Sequence, residues 1–473
     1  DVAKIQSGGS DYLADYLQIG AIVKRHIRDG DWGLFNRAPS LHRQSILGLR
    51  VRVTPDRKQL SMNPTICIPF NADYDGDAMK MHFVNGEEAR DEAENLMGLA
   101  KNIIHARFGK LTVATDQDQT SGLYLLTHTD KQRANEWNPV SGLGFTEEGI
   151  PYLSRPLALS CYSTVYSEIR DIDLLDEMYK RQKKIDKISR ADFDKQRHYR
   201  HINSLPESDC TDPDGNPCYT GRAIFSHLFS VVGADNISAT FKGNTPMVDE
   251  DGSILRENGK KVPETVIVRD SQLIQGTLEK DAFGEGGSSL APSFIYHFGY
   301  EKGQEILSEY IELVTRLGFA GHRVIGYTMG SDDVSAKKFK TEEDEEGKEV
   351  FVLDENGNRI DEIAEEIDTK YAIAAAKIED IQKRWNDKDL ASVAYDDRQK
   401  QISAELDPVS FLEEEIFAIS DKYESDILVP IEDAQGSGNP MQIAVRSRAR
   451  GKDINVRQMA GSYGMVLVGG KRI

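Results

Sequence analysis

Three aspartates lie within five residues in the segment Asp73-Tyr74-Asp75-Gly76-Asp77. In a regular strand, side chains at positions i, i+2 and i+4 project from one face. In a tight loop, Gly76 can take dihedral angles that other residues avoid, so all three carboxylates could converge on one point. Converging carboxylates repel one another, and their pKa values rise unless a cation is bound. Oxygen ligands of this kind suit Mg²⁺ or Ca²⁺, so the segment predicts a divalent metal site.

The same segment has two other interpretations, a calcium loop of the EF-hand type and an acidic surface turn. An EF-hand loop requires glycine at its sixth position and glutamate at its twelfth. Counted from Asp73, these positions hold Ala78 and Val84, so the pattern excludes an EF-hand. An isolated Asp-Gly-Asp is usually a solvated turn. Here apolar residues precede the aspartates at 66–70 and alternate after them, which favours the metal site.

Composition limits the classes of protein to which the chain can belong. Its 473 residues suggest about three domains, and 39% hydrophobic residues are enough for a sizeable core. The net charge of -20 argues against a small basic nucleic-acid module, although a basic channel can lie within an acidic protein. No apolar run is long enough to span a bilayer. Four cysteines are too few for a disulfide scaffold, which indicates a reducing compartment.

Apolar periodicity and turn residues predict a chain that mixes helices with strands. The predicted β-type runs are 49–53 and 65–70, and the predicted hairpin-type turns are Asp29-Gly30, Asp251-Gly252, Asn258-Gly259 and Asn356-Gly357. The predicted helices begin at 87 and cover 167–195, 306–317, 371–385 and 399–427. No repeat of 20–50 residues is present, which argues against solenoids and propellers.

The segment from Asn71 to Met79 resembles the signature of the largest subunit of multisubunit DNA-directed RNA polymerases. Further segments match the family in the family's order: Arg25–Asp31, Leu34–Arg43, Gln117-Asp118, Tyr124–Thr127, Gly221–Ser226, Val266–Asp270, Gly326–Gly330, Ala449–Lys452 and Gly469–Ile473. Several are more similar to the archaeal and eukaryotic branch than to the bacterial one. The chain departs from the family at Ala78, where glutamate or glutamine is usual, and at Gly464-Met465-Val466, where Gly-Gln-Gln is usual.

The resemblance implies a mixed α+β fold in which a double-psi β-barrel catalytic domain is followed by α/β pore and helical funnel modules. Residues 1–100 would form the barrel region, incomplete at its N-terminus, and 101–330 the pore and funnel region. Residues 331–370 would be an acidic variable insertion, and 371–473 a helical funnel region leading to the bridge helix. The chain, which begins at Asp1 rather than Met, is therefore expected to be part of a longer or split subunit.

The resemblance also implies a two-metal mechanism for RNA synthesis. Asp73, Asp75 and Asp77 would hold one Mg²⁺ ion, and a second would arrive with the nucleoside triphosphate. The RNA 3′-hydroxyl would attack and pyrophosphate would leave, so the protein would mainly position groups and neutralise charge.

Three further site residues and several partners follow from the same resemblance. Asn71 would recognise the sugar hydroxyls of the incoming nucleotide, and Arg37 would lie close to it and to the template–product hybrid. Arg43 would contact the nucleic-acid backbone. The implied partners are the second-largest subunit, the remaining core subunits, the DNA template, the RNA product and nucleoside triphosphates, with no membrane. The implied location is cytoplasmic and nucleoid-associated.

Two other functions remain as alternatives. A non-catalytic assembly subunit could keep the polymerase fold, although the intact aspartates argue against it. A single-chain RNA-dependent RNA polymerase could use a related barrel, but it would carry two barrels, and no second acidic or lysine-rich barrel motif is present.

Cysteines and histidines outside the aspartate segment offer weaker candidates. Cys210 and Cys218, with His198 and His201 nearby, have the ligand types of a zinc site. Their seven-residue gap is wider than the usual two to four, so a hairpin with incidental cysteines is favoured and zinc is not expected. His82, shortly after the aspartates, is expected either to contact the site or to pack beside the barrel.

Overall fold

The computed structural model describes residues 25–54, 59–105, 109–165, 205–249, 253–283, 289–343, 349–386, 408–436, 438–463, 467–468 and 471–472. The chain divides into two compact units, the first formed by Asp1–Asn63 and Pro69–Asn102 and the second by Pro64–Ile68 and Ile103–Ile473. Both units contain helices and strands, which confirms the mixed fold class predicted from the sequence.

The strands and helices of the described residues are numbered in chain order. The strands are β1 Trp32–Asn36, β2 Ile46–Arg50, β3 Lys80–Phe83, β4 Trp137–Asn138, β5 Leu143–Phe145, β6 Pro151–Ser154, β7 Cys210–Thr211, β8 Pro217–Thr220, β9 Ala239–Pro246, β10 Arg256–Glu257, β11 Lys260–Lys261, β12 Pro263–Arg269, β13 Gln272–Gln275, β14 Thr341–Glu343, β15 Glu349–Phe351, β16 Leu467–Val468 and β17 Lys471–Arg472. The α-helices are α1 Cys67–Phe70, α2 Glu87–Asn95, α3 Gln117–Thr127, α4 Arg155–Val165, α5 Gly221–Val231, α6 Ala291–Phe298, α7 Tyr300–Val324, α8 Ser331–Val334, α9 Glu362–Asn386, α10 Pro408–Gln435, α11 Pro440–Arg446 and α12 Asp453–Ala460.

The first unit is built on a three-stranded antiparallel sheet in the order β2-β1-β3. Phe35 of β1, Leu47 of β2 and Phe70 are buried, and the rings of Phe35 and Phe70 meet edge to face with centroids 5.3 Å apart. A Cβ atom on Gly48 of β2 would lie 2.4 Å from the carbonyl oxygen of Ala93. Glycine at this position therefore lets the sheet approach α2 closely.

The expectation of a β-type run at 65–70 is wrong. A 3₁₀ turn at Pro64–Ile66 leads into the short helix α1. A short continuous apolar run does not distinguish a strand from a buried helical segment by periodicity. Pro69 has no N–H group and cannot complete a strand ladder, so the helical alternative is favoured.

The other turn and strand predictions in the first unit hold in part. Gly30 has φ +86 and the N–H of Asp31 donates to the carbonyl of Arg28, which confirms a turn at Asp29-Gly30. The residues 25–28 before it form no strand, so this turn does not join a hairpin as predicted. The strand predicted at 49–53 ends at Arg50. The helix predicted from 87 is α2, which confirms that prediction.

The second unit contains a five-stranded antiparallel sheet in the order β4-β5-β6-β8-β7 and a three-stranded sheet in the order β13-β12-β9. The hairpin predicted at Asn258-Gly259 joins β10 to β11, which confirms it. The turn at Asn356-Gly357 is also confirmed, with Gly357 at φ +83. The turn predicted at Asp251-Gly252 and the helix predicted at 167–195 lie outside the described residues.

The core of the second unit surrounds α7, whose apolar stripe was predicted from its helical spacing. Leu307, Tyr310, Val314 and Leu317 are buried, which confirms the prediction. Tyr310 is surrounded by aromatic rings of α5 and α6, including Phe229 with a centroid distance of 4.5 Å. The other rings of this cluster are Phe225 and Phe294.

Helices α9 and α10 form the C-terminal helical part of the second unit. Ala374 of α9 packs with Tyr423 and Ile427 of α10, within the predicted helices. The described part of the helix predicted at 399–427 begins at Pro408. Buried Glu432 joins α10 to the β10–β11 hairpin through Arg256 at 2.9 Å and Lys261 at 2.5 Å.

Among the described helices, none combines the length and the apolar character that crossing a membrane requires.

A buried carboxylate, Glu279, makes the stability of the second unit depend on pH. Its side chain is 1% exposed, and burial raises its pKa from 4.5 to about 7. Its Oε1 accepts a hydrogen bond from the backbone N–H of Asn244. Because the folded state holds the proton more tightly than the unfolded chain, stability falls as pH rises from about 4.5 to about 7.

The first prediction concerns the contact between α3 and α7. A Cβ on Gly122 would lie 1.8 Å from the carbonyl oxygen of Gly318, so the helices must separate in Gly122→Ala. Although alanine favours helix by about 1 kcal/mol, we expect a net loss of roughly 2 kcal/mol or more in the free energy of unfolding. Urea denaturation of the wild type and the variant measures this difference in the free energy of unfolding. The control Gly330→Ala, whose Cβ meets its nearest atom at 3.5 Å, should change stability by less than about 1 kcal/mol. Equal effects in both variants would contradict the close helix contact.

The second prediction concerns Glu279→Gln. Between pH 5 and pH 8 the wild type should lose roughly 2–3 kcal/mol of stability, as expected for a pKa change of this size. The glutamine cannot ionise, so the variant should keep most of this stability. Denaturation at both pH values measures the difference. Glu257→Gln, at an exposed position, should follow the wild-type pH dependence. A wild-type pH dependence in Glu279→Gln would show that the buried carboxylate does not control it.

Candidate metal centre

The aspartate loop lies between α1 and β3 of the first unit. Asn71 begins the loop with φ +47, and Gly76 has φ +123. No heavy atom lies within 4 Å of the position that a Cβ on Gly76 would take, so the glycine is required for its dihedral angle and not for space. Any other residue there would be strained. These two positions reverse the chain and bring its acidic side chains together.

The three carboxylates converge as their spacing predicts. Asp73, Asp75 and Asp77 each offer one oxygen, and these oxygens all lie within 4.8 Å of one another. The backbone N–H of Asp75 donates to Asp73 Oδ1 at 3.1 Å, and the backbone N–H of Asp73 donates to Asp77 Oδ2 at 3.0 Å. Asp73 and Asp75 are exposed, whereas Asp77 is half-buried.

Arg37 reaches the third aspartate from the end of β1. The pairing of Asn36 with Lys80 places the residues after β1 beside those before β3. Arg37 Nε lies 2.7 Å from Asp77 Oδ2 and Nη2 lies 3.0 Å from Oδ1, so the guanidinium contacts both carboxylate oxygens. Both side chains are about one-fifth exposed, at 20% each.

The electrostatics of the three carboxylates differ because of their neighbours. The hydrogen bond from Arg37 lowers the pKa of Asp77. A hydrogen bond with Asp73, and then the negative charge of Asp73, raise the pKa of Asp75. With all groups ionised, three carboxylates and one guanidinium leave two negative charges, which one divalent cation would neutralise.

The donor set fits a magnesium ion. All three converging groups supply carboxylate oxygens, the ligands that Mg²⁺ prefers, and their exposure leaves room for the water ligands that this ion retains. Within the ranges that the structure describes, these aspartates are the one converging group of three or more Asp, Glu, His or Cys side chains.

The remaining predicted site residues lie around the loop. Asn71 is exposed at the loop's first position, and Arg43 is exposed in a 3₁₀ turn, Arg43–Ser45, between β1 and β2. His82 lies on β3 opposite Leu34 and is exposed, so the expectation that it packs beside the barrel is wrong. Strand alternation explains this, because the half-buried Met81 and Phe83 occupy the other face.

The cysteine pair forms a hairpin, as the favoured interpretation predicts. Cys210 of β7 lies opposite Cys218 of β8, and both carry free thiols. Burial raises the pKa of Cys210 to about 12, so this thiol is protonated in the hairpin at neutral pH. His198 and His201 lie outside the described residues.

Comparison with known proteins gives the family of the chain. The family model described as RNA polymerase Rpb1, domain 2, matches residues 2–99, and that of Rpb1, domain 3, matches residues 102–334. The chain belongs to the family of RNA polymerase largest subunits. This confirms the resemblance seen in the sequence.

Individual relatives agree with the family models. The chain is 29% identical over 461 residues to the DNA-directed RNA polymerase subunit Rpo1N of Halobacterium salinarum, a match that covers 98% of this chain and 36% of the relative. It is 26% identical over 483 residues to the DNA-directed RNA polymerase III subunit rpc1 of Schizosaccharomyces pombe, covering 99% of this chain and 27% of the relative. The identity with the Debaryomyces hansenii subunit RPC1 is 48% over 118 residues, 25% of this chain and 8% of the relative.

The chain thus spans about a third of the length of these archaeal and fungal relatives, at 36% and 27%.

The pair between Arg37 and Asp77 is the site feature that the sequence did not reveal. The two residues are separated by 40 positions, and only the pairing of β1 with β3 brings them together.

Proposed function

We propose that this chain carries the catalytic metal centre of a DNA-directed RNA polymerase, and that Asp73, Asp75 and Asp77 hold one Mg²⁺ ion. The single observation that supports this most strongly is the convergence of three carboxylate oxygens within 4.8 Å of one another. Membership of the RNA polymerase family supports the reaction type. The proposal extends to template-directed polymerisation of ribonucleoside triphosphates in complex with other subunits.

The chain's own residues have distinct tasks in this mechanism. Asp73, Asp75 and Asp77 would hold one Mg²⁺ ion, which would supply acidification of the RNA 3′-hydroxyl and, with a second ion that accompanies the nucleotide, neutralisation of charge on the α-phosphate and the leaving pyrophosphate. The new bond would join the 3′-oxygen to the α-phosphorus, the bond from that phosphorus to the bridging oxygen would break to release pyrophosphate, and the hydroxyl proton would pass to solvent. The aspartates fix the position at which this charge is neutralised, and Gly76 allows the loop geometry.

The proposed contacts to nucleotides and nucleic acid use residues beside the loop. Asn71, exposed at the loop start, is proposed to hydrogen-bond the ribose hydroxyls, and Arg37 to lie beside the nucleotide and the hybrid. Arg43, exposed after β1, is proposed to contact phosphates of the backbone.

The architecture and the partners belong to the same proposal. Residues 1–100 would contribute to a double-psi barrel, 101–330 to pore and funnel modules, 331–370 to a variable insertion and 371–473 to a helical funnel region of an archaeal-type subunit. The second-largest subunit, the other core subunits, the DNA template, the RNA product and nucleoside triphosphates are the proposed partners. The proposed location is cytoplasmic, at the nucleoid.

The third prediction tests the metal centre with Asp75→Ala in the assembled polymerase. Loss of a residue that only hydrogen-bonds a metal ligand typically lowers metal affinity or activity by about 10–100-fold. Removal of a ligand itself should therefore lower the rate of RNA extension by more than about a hundredfold. Removing one of three repelling carboxylates should leave folding and assembly intact. The measurement is single-nucleotide extension of a primed RNA–DNA hybrid.

The control for this variant is Asp91→Ala, which removes an exposed carboxylate from α2 of the same unit. It should extend RNA at the wild-type rate. Near-normal extension by Asp75→Ala would contradict the catalytic metal centre and favour a non-catalytic assembly subunit.

The fourth prediction concerns sugar selection by Asn71. An amide that bonds a 2′-hydroxyl is left unpaired by a deoxynucleotide, which costs about 1–3 kcal/mol. Asn71→Gly keeps the positive φ of this position and removes the amide, so the preference for ribonucleotides should fall roughly 5- to 150-fold. Competition between each NTP and its dNTP measures the ratio. An unchanged ratio would assign sugar selection to another residue.

A further inference from the structure

Arg37 occupies the oxygens with which Asp77 would hold a metal ion. Its Nε and Nη2 contact the two carboxylate oxygens at 2.7 Å and 3.0 Å. Oδ2 also accepts the backbone N–H of Asp73 at 3.0 Å. A two-pronged contact of this kind fixes the orientation of the carboxylate as well as its charge. The chain itself therefore uses three of the roughly four acceptor positions of the Asp77 carboxylate.

The other two aspartates are arranged differently. Asp73 and Asp75 are exposed, and the backbone N–H of Asp75 donates to Asp73 Oδ1 at 3.1 Å, which holds the two residues close together. Arg37 acts on them by charge, while its hydrogen bonds go to Asp77. A divalent cation thus finds two exposed carboxylates and a third that is already paired with a cation.

A guanidinium and a divalent cation on the same carboxylate repel each other. They also compete for its lone pairs, because Arg37 donates to both oxygens. The pair is only partly exposed, with 20% of each side chain accessible, and its two-pronged contact is stronger than that of an ordinary surface pair. The accessible fraction lets an ion from solvent reach Asp77 without unfolding the loop, and its charge must then offset the loss of the Arg37 contacts.

We propose that Arg37 is an exchangeable cation that holds Asp77 in the metal-free centre and yields it, in whole or in part, when a divalent cation binds. The inference rests on the proposed metal centre and adds a role for Arg37 that contact with the nucleotide does not require. Arg37 keeps the three carboxylates close together without metal, and it weakens metal affinity by competition. It is a positioning residue for Asp77.

The opposite role for Arg37 makes the opposite prediction. If the guanidinium only holds Asp77 in the geometry that the metal needs, its removal disorders a ligand and metal binding weakens. If it competes, its removal frees a ligand and removes a positive charge, and metal binding tightens. The sign of the change in affinity therefore decides between them.

The fifth prediction is tested by titrating Mn²⁺ into assembled polymerase without nucleotides, with free Mn²⁺ measured by electron paramagnetic resonance. The site of interest is the one lost in Asp75→Ala. Arg37→Gln should bind Mn²⁺ there roughly tenfold more tightly, as expected for removing one positive charge near a divalent ion. Arg37→Lys keeps the charge but loses the two-pronged contact, so its affinity should rise less.

The matched control is Arg50→Gln, which removes an arginine from another carboxylate pair of the same unit, with Glu94 at 2.8 Å. It should leave Mn²⁺ affinity unchanged. Thermal unfolding and subunit assembly are measured for each variant, and if Arg37→Gln fails to assemble, Arg37→Lys decides the direction of the effect.

Three results would overturn the inference. Weaker Mn²⁺ binding in the Arg37 variants would make Arg37 a support for the ligand geometry, and unchanged binding would separate it from the metal altogether. Absence of any wild-type Mn²⁺ site that depends on Asp75 would overturn the proposed function and this inference together. That last result can be told apart from the first two, because in those the wild-type polymerase still has the Mn²⁺ site that depends on Asp75.

Discussion

Repulsion among three carboxylates is the constraint on which the candidate site depends. Their oxygens lie within 4.8 Å of one another in the loop. Two backbone N–H groups and the Arg37 guanidinium offset the repulsion, and Gly76 supplies the dihedral angle that closes the loop. Two negative charges remain uncompensated when all groups are ionised, and one bound divalent cation would neutralise them.

The fold of the first unit supplies this arrangement through strand pairing. β1 lies between β2 and β3, so the residue after β1 comes beside the loop that leads into β3. Burial of Phe35 against Phe70 holds β1 next to the end of α1, where the loop begins. Gly48 lets α2 cover β2 at close range. Packing that is distant from the carboxylates thereby fixes the position of Arg37.

Features with a local signal could be predicted from the sequence, whereas those set by tertiary contacts could not. The convergence of Asp73, Asp75 and Asp77 follows from their spacing around a glycine, and the stripe at 306–317 follows from helical periodicity. The apolar residues of 65–70 show no periodicity that separates a strand from a helix, and Pro69, which has no N–H group, is the local feature that favours the helix. Neither the partner of Arg37 nor the burial of Glu279 has any local signal, since both depend on residues far away in the sequence.

If Asp73, Asp75 and Asp77 bind the catalytic metal ion, anomalous diffraction from crystals of the assembled polymerase soaked in Mn²⁺ should locate it there. We expect a single strong anomalous peak at coordination distance, about 2.0–2.2 Å, from oxygens of Asp73, Asp75 and Asp77, and its loss in Asp75→Ala. Bound Mn²⁺ elsewhere in the complex, with the three carboxylates free of metal at saturating concentration, would contradict the claim.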